Sequence, residues 1–349
     1  MLAADRIPVD DTKQAPSNGE AAAWRRIIAP AEPFLELVAQ RLARQIGEFE
    51  RDIALYAEYA LTNQGKQLRP ALVAMSGGAT GTLTDEHALA AVIVEMVHLA
   101  TLVHDDVMDG AKIRRGRPTL AAMWGSEISV LLGDCLFAHA LKLAASFPTT
   151  EICRAVSMAT NTVCSGEILQ TQRRRNFELS RPEYFKFIQM KTGELFALSC
   201  DLGACLSGAT ASHRACLRQF GMALGTAYQV YDDCVDIFGR EAMAGKSLGT
   251  DLAKGKLTLP LILAIERGSE DENCLIERLV RNWDPVYYPQ IAGILQRREC
   301  FEGSKEAMAE YLGEARAQLD GVPDSPSRKA LFGMTEYLEF QTEALGAEA

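Results

Sequence analysis

The stretch that decides the fold is residues 88–109, ALAAVIVEMVHLATLVHDDVMD. Residues 88–103 are almost wholly apolar, whereas residues 104–109 carry three aspartates, Asp105, Asp106 and Asp109. Apolar residues on every side of the helical period predict a helix that is buried on most sides. The first predicted element is therefore a core helix with an acidic C-terminal end.

Helical periodicity continues on both sides of this stretch. Apolar residues recur every three or four positions from residue 31 to residue 61, and residues 213–238 predict another long helix. Ser180 and Glu183 form a capping box that predicts the start of a further helix. Alternating strand patterns are absent from the sequence. We therefore expect an all-α, single-domain bundle at residues 29–349, preceded by a polar, mobile tail at residues 1–28.

Composition excludes several classes of protein. The chain has 349 residues, of which 48% are hydrophobic, and a formal net charge of −10, which disfavours a nucleic-acid partner. The sequence contains no run of 18 or more uncharged apolar residues, so it predicts no transmembrane helix. The N-terminus lacks the apolar core of a secretory signal. The nine cysteines form no Cys-x-x-Cys pair, so we interpret them as small buried residues in a reducing, cytoplasmic location.

A second apolar helix ends in the same way as the first, at Asp232, Asp233 and Asp236. In each aspartate box the first and last residues lie about 40° apart around the helix, so they point the same way. Like charges at this spacing repel each other and oppose the helix dipole unless a cation compensates them. Carboxylates select hard ions such as Mg²⁺, which commonly bridges to a phosphate. For either box alone, a solvated acidic helix end is the alternative.

Several short segments supply basic residues suited to phosphate oxygens. These residues are Lys66, Arg69, Arg114, Arg115, Lys191, Lys246, Lys254 and Lys256. Together with the boxes they predict two phosphate sites, one bound through metal ions and one bound by basic side chains. A deep apolar bundle would exclude water from a carbocation, so this chemistry points to ionisation of an allylic diphosphate.

The sequence resembles the trans-type (E-) polyprenyl diphosphate synthases. Within that family it is most similar to the bacterial long-chain, octaprenyl diphosphate synthase-like subgroup. The resemblance covers about residues 57–268, and its motifs agree in order and spacing. The motifs are Gly65-Lys66 to Arg69-Pro70, residues 98–109, Arg114-Arg115-Gly116, Gly133-Asp134, Lys191-Thr192, residues 229–233 and Lys246 to Gly255-Lys256. The resemblance implies the isoprenoid synthase fold with a central deep apolar cavity, a homodimer, and Mg²⁺-dependent, head-to-tail condensation of isopentenyl diphosphate onto farnesyl, geranyl or geranylgeranyl diphosphate.

The resemblance also implies a role for each site residue. Magnesium, at three ions per site with diphosphate bound, would be held by Asp105, Asp106, Asp109, Asp232, Asp233 and Asp236. Isopentenyl diphosphate would be bound by Lys66, Arg69, His98 and Arg115. The allylic diphosphate would be bound by Arg114, Lys191, Gln229, Lys246 and Lys256. Thr192 and Gln229 would stabilise the carbocation with their dipoles, and Gln67, where the family usually has arginine, would weaken the affinity for isopentenyl diphosphate.

Product length depends on the residues that precede Asp105. Thr101 and Ala100 lie four and five positions before Asp105, so along a helix they lie about 6–7.5 Å deeper than Asp105. Both residues are small, so we expect the cavity to continue past them until Phe137 on a neighbouring helix closes it. This predicts a product of roughly C30–C50, with about C40 as the best single value.

Three alternatives stay open from sequence alone. The first is a short-chain synthase, and the second is a non-catalytic partner subunit, which tends to lose an aspartate box or the basic residues. The third is a class I terpene cyclase, which would usually lack the second box and the Lys66/Arg69 site. We expect no transmembrane segment and only transient membrane contact during product release.

Overall fold

The structure, a computed structural model, describes residues 18–62, 65–239 and 249–347. These residues form a helical bundle, which confirms the predicted all-α fold. The seventeen α-helices within the described ranges are α1 (Asn18–Ile28), α2 (Glu32–Gln45), α3 (Ala54–Thr62), α4 (Leu68–Thr80), α5 (Asp85–Met108), α6 (Leu120–Trp124), α7 (Ser126–Ala144), α8 (Thr150–Gln172), α9 (Arg181–Ile188), α10 (Glu194–Leu206), α11 (Ala211–Phe238), α12 (Thr250–Ala253), α13 (Leu259–Arg267), α14 (Glu270–Arg281), α15 (Tyr288–Arg297), α16 (Cys300–Leu319) and α17 (Pro326–Gly346).

Helix α5 lies at the centre of the bundle and packs against α2, α4, α7 and α10. A capping box starts it, in which the backbone N–H of Thr84 donates to His87 Nδ1 at 3.0 Å. Among the described helices, α5 is the one that is long and apolar enough to span a membrane. Because 72% of its most apolar window is buried inside the protein, it has the pattern of a core helix.

Glycines allow the closest helix crossings in the bundle. A Cβ atom at Gly203 of α10 would lie 2.3 Å from the carbonyl oxygen of Val73 in α4. A Cβ atom at Gly221 of α11 would lie 2.5 Å from the carbonyl oxygen of Phe196 in α10. Side chains do not fit at these distances, so α4, α10 and α11 pack backbone against backbone. This packing fixes how α4, α10 and α11 lie relative to one another at these crossings.

A β-hairpin, which the sequence did not predict, follows the first aspartate box. Strand β1 (Ile113–Arg114) pairs antiparallel with β2 (Arg117–Pro118). The two turn residues, Arg115 (φ 52°) and Gly116 (φ 70°), both have positive φ, as a type I′ turn requires. Two-residue strands are too short to show an alternating pattern, which explains why the prediction missed them.

The helix predicted to begin at Ser180 is interrupted after two turns. Helix α9 starts at the predicted capping box, where the backbone N–H of Ser180 donates to Glu183 Oε2 at 3.2 Å. A π-helical turn, Gln189–Gly193, then separates α9 from α10. A π turn adds a single residue, which hardly disturbs the apolar pattern, and such turns are frequent at functional sites. This one carries Lys191 and Thr192.

Part of the predicted N-terminal tail is helical in the structure. Helix α1 packs on the C-terminal helix α17, where the ring centroids of Trp24 and Tyr337 lie 5.1 Å apart. The part of α1 that carries Trp24 and Ile27 is therefore packed on the bundle rather than extended into solvent. Residues 1–17 lie outside the described residues, and the domain boundary at residue 29 stays a prediction.

Candidate active site

The C-terminal parts of α5 and α11 face one cavity of about 1310 Å³, larger than the roughly 300–1,000 Å³ of ordinary ligand pockets. The cavity is lined by Asp105 of α5, by Asp109 directly after α5, and by Asp232 of α11. Most of the other predicted site residues also line it, namely Lys66, Gln67, Arg69, His98, Thr101, Arg114, Arg115, Phe137, Lys191, Thr192, Gln229, Asp233, Lys254 and Lys256. Lys246 lies outside the described residues.

Asp109 is surrounded by positive charge. Lys254 Nζ lies 3.1 Å, Lys256 Nζ 3.4 Å and Arg174 Nη2 3.7 Å from its carboxylate. Although burial opposes the shift, Lys256 and Lys254 lower the pKa of Asp109, so its carboxyl group is ionised at neutral pH. Lys256 Nζ also lies 3.8 Å from Asp251 Oδ1, so carboxylates and cations meet here, and such basic side chains suit the oxygens of a phosphate.

Lys191 reaches the first box from the π turn. Its Nζ lies 3.9 Å from Asp105 Oδ2, pairs with Glu167 of α8 and donates to Gln170 Oε1 at 3.4 Å. Burial alone would lower the pKa of Lys191, but the negative charges of Asp105 and Glu167 outweigh burial and raise this pKa. For Asp105, burial raises the pKa. The name lysine cluster is used below for Lys191, Lys254, Lys256 and Arg174.

Sequence reasoning missed three residues near the first box: Arg174, Glu167 and Gln170. Glu167 and Gln170 are three positions apart and therefore lie on one side of α8, which is the single sequence signal they give. Arg174 follows the end of α8 in a run of three arginines at residues 173–175, a pattern that is more often a solvated surface. Their place at the site is set by how α8 packs.

Asp106 does not line the cavity, although it follows Asp105 directly. A helix turns by about 100° per residue, so Asp106 points to another side of α5. It is buried, and Arg114 Nε donates to its carboxylate at 2.6 Å. The structure thus favours a role in holding Arg114 over the predicted role as a magnesium ligand.

The second box needs a similar correction. Asp236 is fully buried away from the cavity, where Thr250 Oγ1 and the backbone N–H of Asp251 donate to it at 2.8 and 3.0 Å and so start α12. Asp233 accepts hydrogen bonds at 2.7 Å from Tyr184 Oη and from Gln229 Nε2, and burial raises its pKa. Of the six predicted ligands, Asp105, Asp109 and Asp232 are those that the geometry favours.

The donor set fits a metal ion that binds together with an anion. Within the described ranges, no three His, Cys, Asp or Glu side chains lie close enough to form a ready-made metal cage. Magnesium keeps several waters and is commonly held by one or two carboxylates plus the phosphates of a substrate, so such a cage is not required. Carboxylates that face lysines across one cavity suit this mode of binding.

A second group of nitrogen-bearing side chains, three of them cationic, lies where α4 begins and the hairpin turns. It consists of Lys66, Arg69, His98 and Arg115, called the arginine cluster below. A Cβ atom at Gly65 would lie 2.7 Å from Arg115 Nη2, so the two segments touch. Arg69 Nε is buried and has no hydrogen-bond partner among the described residues. Burial, together with the charge of Arg69 and Arg115, lowers the pKa of His98 well below its ordinary value, so its imidazole is neutral.

Glu95 and Tyr228 complete the arginine cluster and were not predicted. Burial lowers the pKa of Arg69, and the charge of Glu95 opposes that shift. The ring of Tyr228 lies 5.6 Å from that of Phe196, over which the Arg69 guanidinium stacks at 5.0 Å. Glu95 is the single acidic residue within residues 88–103, which is the signal that would have found it.

Two polar side chains in the cavity wall are held by hydrogen bonds. Thr192 Oγ1 donates to Gln229 Oε1 at 2.6 Å, and Gln229 in turn donates to Asp233. Because Asp233 is also held by Tyr184, this chain fixes the orientation of both dipoles. The structure therefore places Thr192 and Gln229 beside each other at the cavity, and their role in stabilising the carbocation stays a prediction.

The residues predicted to control product length divide into two groups. Thr101 and Phe137 line the cavity, and the Phe137 ring lies 5.7 Å from that of His104. Ala100 is fully buried and does not line the cavity, because it points to a different side of α5 from Thr101. The prediction that Ala100 borders the cavity is therefore wrong.

Comparison with known proteins agrees with this geometry. The profile of the polyprenyl synthetase family matches residues 50–285. The octaprenyl diphosphate synthase of Escherichia coli (strain K12) is 30% identical over 311 residues, which cover 87% of this chain and 96% of that protein. A short chain isoprenyl diphosphate synthase of Methanothermobacter thermautotrophicus is 28% identical over 310 residues, which cover 87% and 95%.

A solved structure extends the comparison to three dimensions. The crystal structure of a polyprenyl synthase from Caulobacter crescentus CB15, complexed with calcium and isoprenyl diphosphate, has a TM-score of 0.84 and 31% identity. The match covers 93% of this chain and 98% of that one. Fold and site together define a prenyltransferase. The chain belongs to the polyprenyl synthetase family.

Proposed function

We propose that the protein is a long-chain trans-polyprenyl diphosphate synthase, which condenses isopentenyl diphosphate head to tail onto an allylic diphosphate. The observation that carries the proposal is a single cavity that joins two aspartate-bearing helices to two separate cationic clusters. The allylic diphosphate would lie between the aspartates and the lysine cluster. Isopentenyl diphosphate would lie at the arginine cluster.

The aspartates would hold the divalent metal. Asp105 and Asp109 on one side and Asp232 on the other would bind Mg²⁺, which supplies positive charge to the departing diphosphate. The calcium and isoprenyl diphosphate of the Caulobacter complex support the pairing of a divalent ion with a diphosphate in this fold. A count of three ions per site stays our prediction.

The chain's own residues would then direct the reaction. Lys191, Lys256 and Arg114 bind the allylic diphosphate, which leaves with the electron pair of the broken C–O bond. Thr192 and Gln229 present their fixed dipoles to the carbocation. The isopentenyl double bond attacks this cation, and a proton leaves to the released diphosphate. Apolar walls exclude the water that would otherwise capture the cation.

A long product is supported by the reach of the cavity. Beyond the aspartates, Thr101, Phe137 and Val163 line it, so it extends between α5, α7 and α8. Relatives named for short and for long chains match this chain at similar identity, so identity does not decide the length. We propose a product of roughly C30–C50, with about C40 as the best single value, because a cavity above the usual ligand volume leaves room for it.

We also propose a homodimer in the cytoplasm. The apolar stretch at residues 88–103 is almost entirely buried within the subunit. Exposed apolar side chains lie on α7 and α8, where Leu131 is 60%, Met158 65% and Ile168 58% exposed, and such a surface favours a partner. The nine cysteines, none of which forms a disulfide within the described chain, support a reducing location.

One assay tests the proposal against a short-chain synthase and against a non-catalytic partner subunit. The purified chain alone is incubated with Mg²⁺, farnesyl diphosphate and excess isopentenyl diphosphate, and the products are sized. We expect elongation to roughly C30–C50, lost with a chelator and restored by Mg²⁺. Products that stop at about C15–C20 would favour a short-chain synthase. No product without a second subunit would favour the non-catalytic partner.

A further inference from the structure

Lys66 contacts an aromatic ring from the other end of the chain. Its Nζ lies 5.3 Å from the centroid of the Tyr337 ring and 3.5 Å from Tyr337 Oη. Tyr337 belongs to α17, 271 residues later, and is buried. It does not line the cavity, whereas Lys66 does. The ring therefore meets the lysine from outside the site.

Tyr337 is itself supported by the N-terminal helix α1. The Trp24 ring lies 5.1 Å from the Tyr337 ring. One turn earlier on α17, a Cβ atom at Gly333 would lie 3.3 Å from the side chain of Ile27. Residues four positions apart share one face of a helix, so α1 covers the face of α17 that carries Tyr337.

This arrangement reduces the freedom of a flexible cation. A lysine side chain has many rotamers, and binding an anion costs it that freedom. A ring that already attracts the ammonium group limits the lysine before the anion arrives, so less entropy is lost on binding. We propose that Tyr337, supported by Trp24 of α1, is a positioning residue that sets the affinity of Lys66 for isopentenyl diphosphate. The inference rests on the proposed function, in which Lys66 binds that substrate.

Variants of the full-length chain test the proposal. Tyr337→Ala removes the ring, Tyr337→Phe keeps it without the hydroxyl, and Trp24→Ala removes the support from α1. With saturating farnesyl diphosphate, Tyr337→Ala and Trp24→Ala should raise KM for isopentenyl diphosphate about three- to fivefold, the size of one cation–π contact. The kcat and the KM for farnesyl diphosphate should not change, which marks a loss of uniform binding. Tyr337→Phe keeps the ring but loses the hydroxyl to which Lys66 donates, so its KM for isopentenyl diphosphate should rise less than that of Tyr337→Ala.

Phe340→Ala is the matched control on the same helix. Phe340 is 54% exposed, so its loss should change neither constant. A double-mutant cycle adds a second control, because the effect of Tyr337 passes through Lys66. In a Lys66→Gln background, Tyr337→Ala should have no further effect on KM.

Several results would overturn the proposal. An unchanged KM in Tyr337→Ala, or a further rise in the Lys66→Gln background, removes the role of Tyr337. An unchanged KM in Trp24→Ala removes the role of α1. A parallel fall in kcat, with a lower melting temperature and a higher KM for farnesyl diphosphate, would indicate a purely structural contact. A wild-type enzyme that does not transfer isopentenyl diphosphate would instead overturn the proposed function, so the two failures are distinct.

Discussion

Neighbouring aspartates of the first box have different surroundings, because one residue turns a helix by about 100°. Asp105 lines the cavity beside Lys191, whereas Asp106 is buried against Arg114. We expect Asp105→Asn and Asp232→Asn each to lower kcat by about 100-fold or more, since each removes a carboxylate of the proposed metal site. Initial rates at saturating Mg²⁺ measure this effect.

Asp106→Asn is the control for this prediction. It loosens Arg114 without removing a cavity carboxylate, so it should raise KM for the allylic diphosphate more than it lowers kcat. All three variants should keep a cooperative thermal transition. Near-normal rates in both Asp105→Asn and Asp232→Asn would contradict the assignment of the metal site.

Gln67 tests the second anion site. It lines the cavity just before α4 with a φ of 49°, a backbone conformation that costs arginine about as much as glutamine. Gln67→Arg adds a cation beside the arginine cluster, so KM for isopentenyl diphosphate should fall with little change in kcat, as expected for uniform binding. Steady-state kinetics check this, and an unchanged KM would mean that position 67 does not face the diphosphate.

At the scale of the helix, one side of α5 faces the cavity and another side faces the packed core. Thr101 faces the cavity, so Thr101→Phe should close it and shorten the product to about C15–C20 while the first condensation continues. Ala100 is fully buried, so Ala100→Phe should instead overpack the core and destabilise the fold by about 1–3 kcal/mol. Product sizing and urea unfolding separate these effects. A shortened product from Ala100→Phe with unchanged stability would contradict the placement of this residue.

Helix crossings give a prediction of stability. Gly203→Ala would place a methyl group 2.3 Å from a backbone carbonyl of α4, so we expect a loss of about 1–3 kcal/mol in the free energy of unfolding. Gly313 lies inside α16 with nothing near its missing Cβ, so Gly313→Ala should stabilise by about 0.5–1 kcal/mol. Denaturant unfolding measures both changes. Equal effects in the two variants would refute the backbone-to-backbone crossing.

The elements show how far sequence reasoning reaches. Asp105, Asp109 and Lys191 were predictable, because their chemistry follows from residue type and local spacing. The cap that Asp236 forms on Thr250, 14 residues later, was not, because tertiary packing selects that partner. The same holds for Tyr337, which meets Lys66 from 271 residues away. Short features such as the hairpin and the π turn change too few residues to alter a periodic pattern.

At the scale of the whole molecule, the exposed apolar surface of α7 and α8 predicts association. Leu131→Glu would place a charge within the proposed dimer interface, where burial without a partner is unfavourable. We expect the wild type to be a dimer at micromolar concentration and Leu131→Glu to be largely monomeric, as measured by light scattering. Phe340→Ala, on a different helix, should stay dimeric. A monomeric wild type would contradict the proposal.

The burial of α5 also has a consequence during protein synthesis. Its partner α10 ends about 100 residues later in the chain, and a ribosome that adds roughly 5–20 residues per second needs about 5–20 s to reach that point. Throughout this interval the nascent chain carries a helix of membrane-like hydropathy without its complete set of partners. Yield of the enzyme in a cell should therefore depend on chaperone supply and on translation speed, and not on the stability of the finished fold alone.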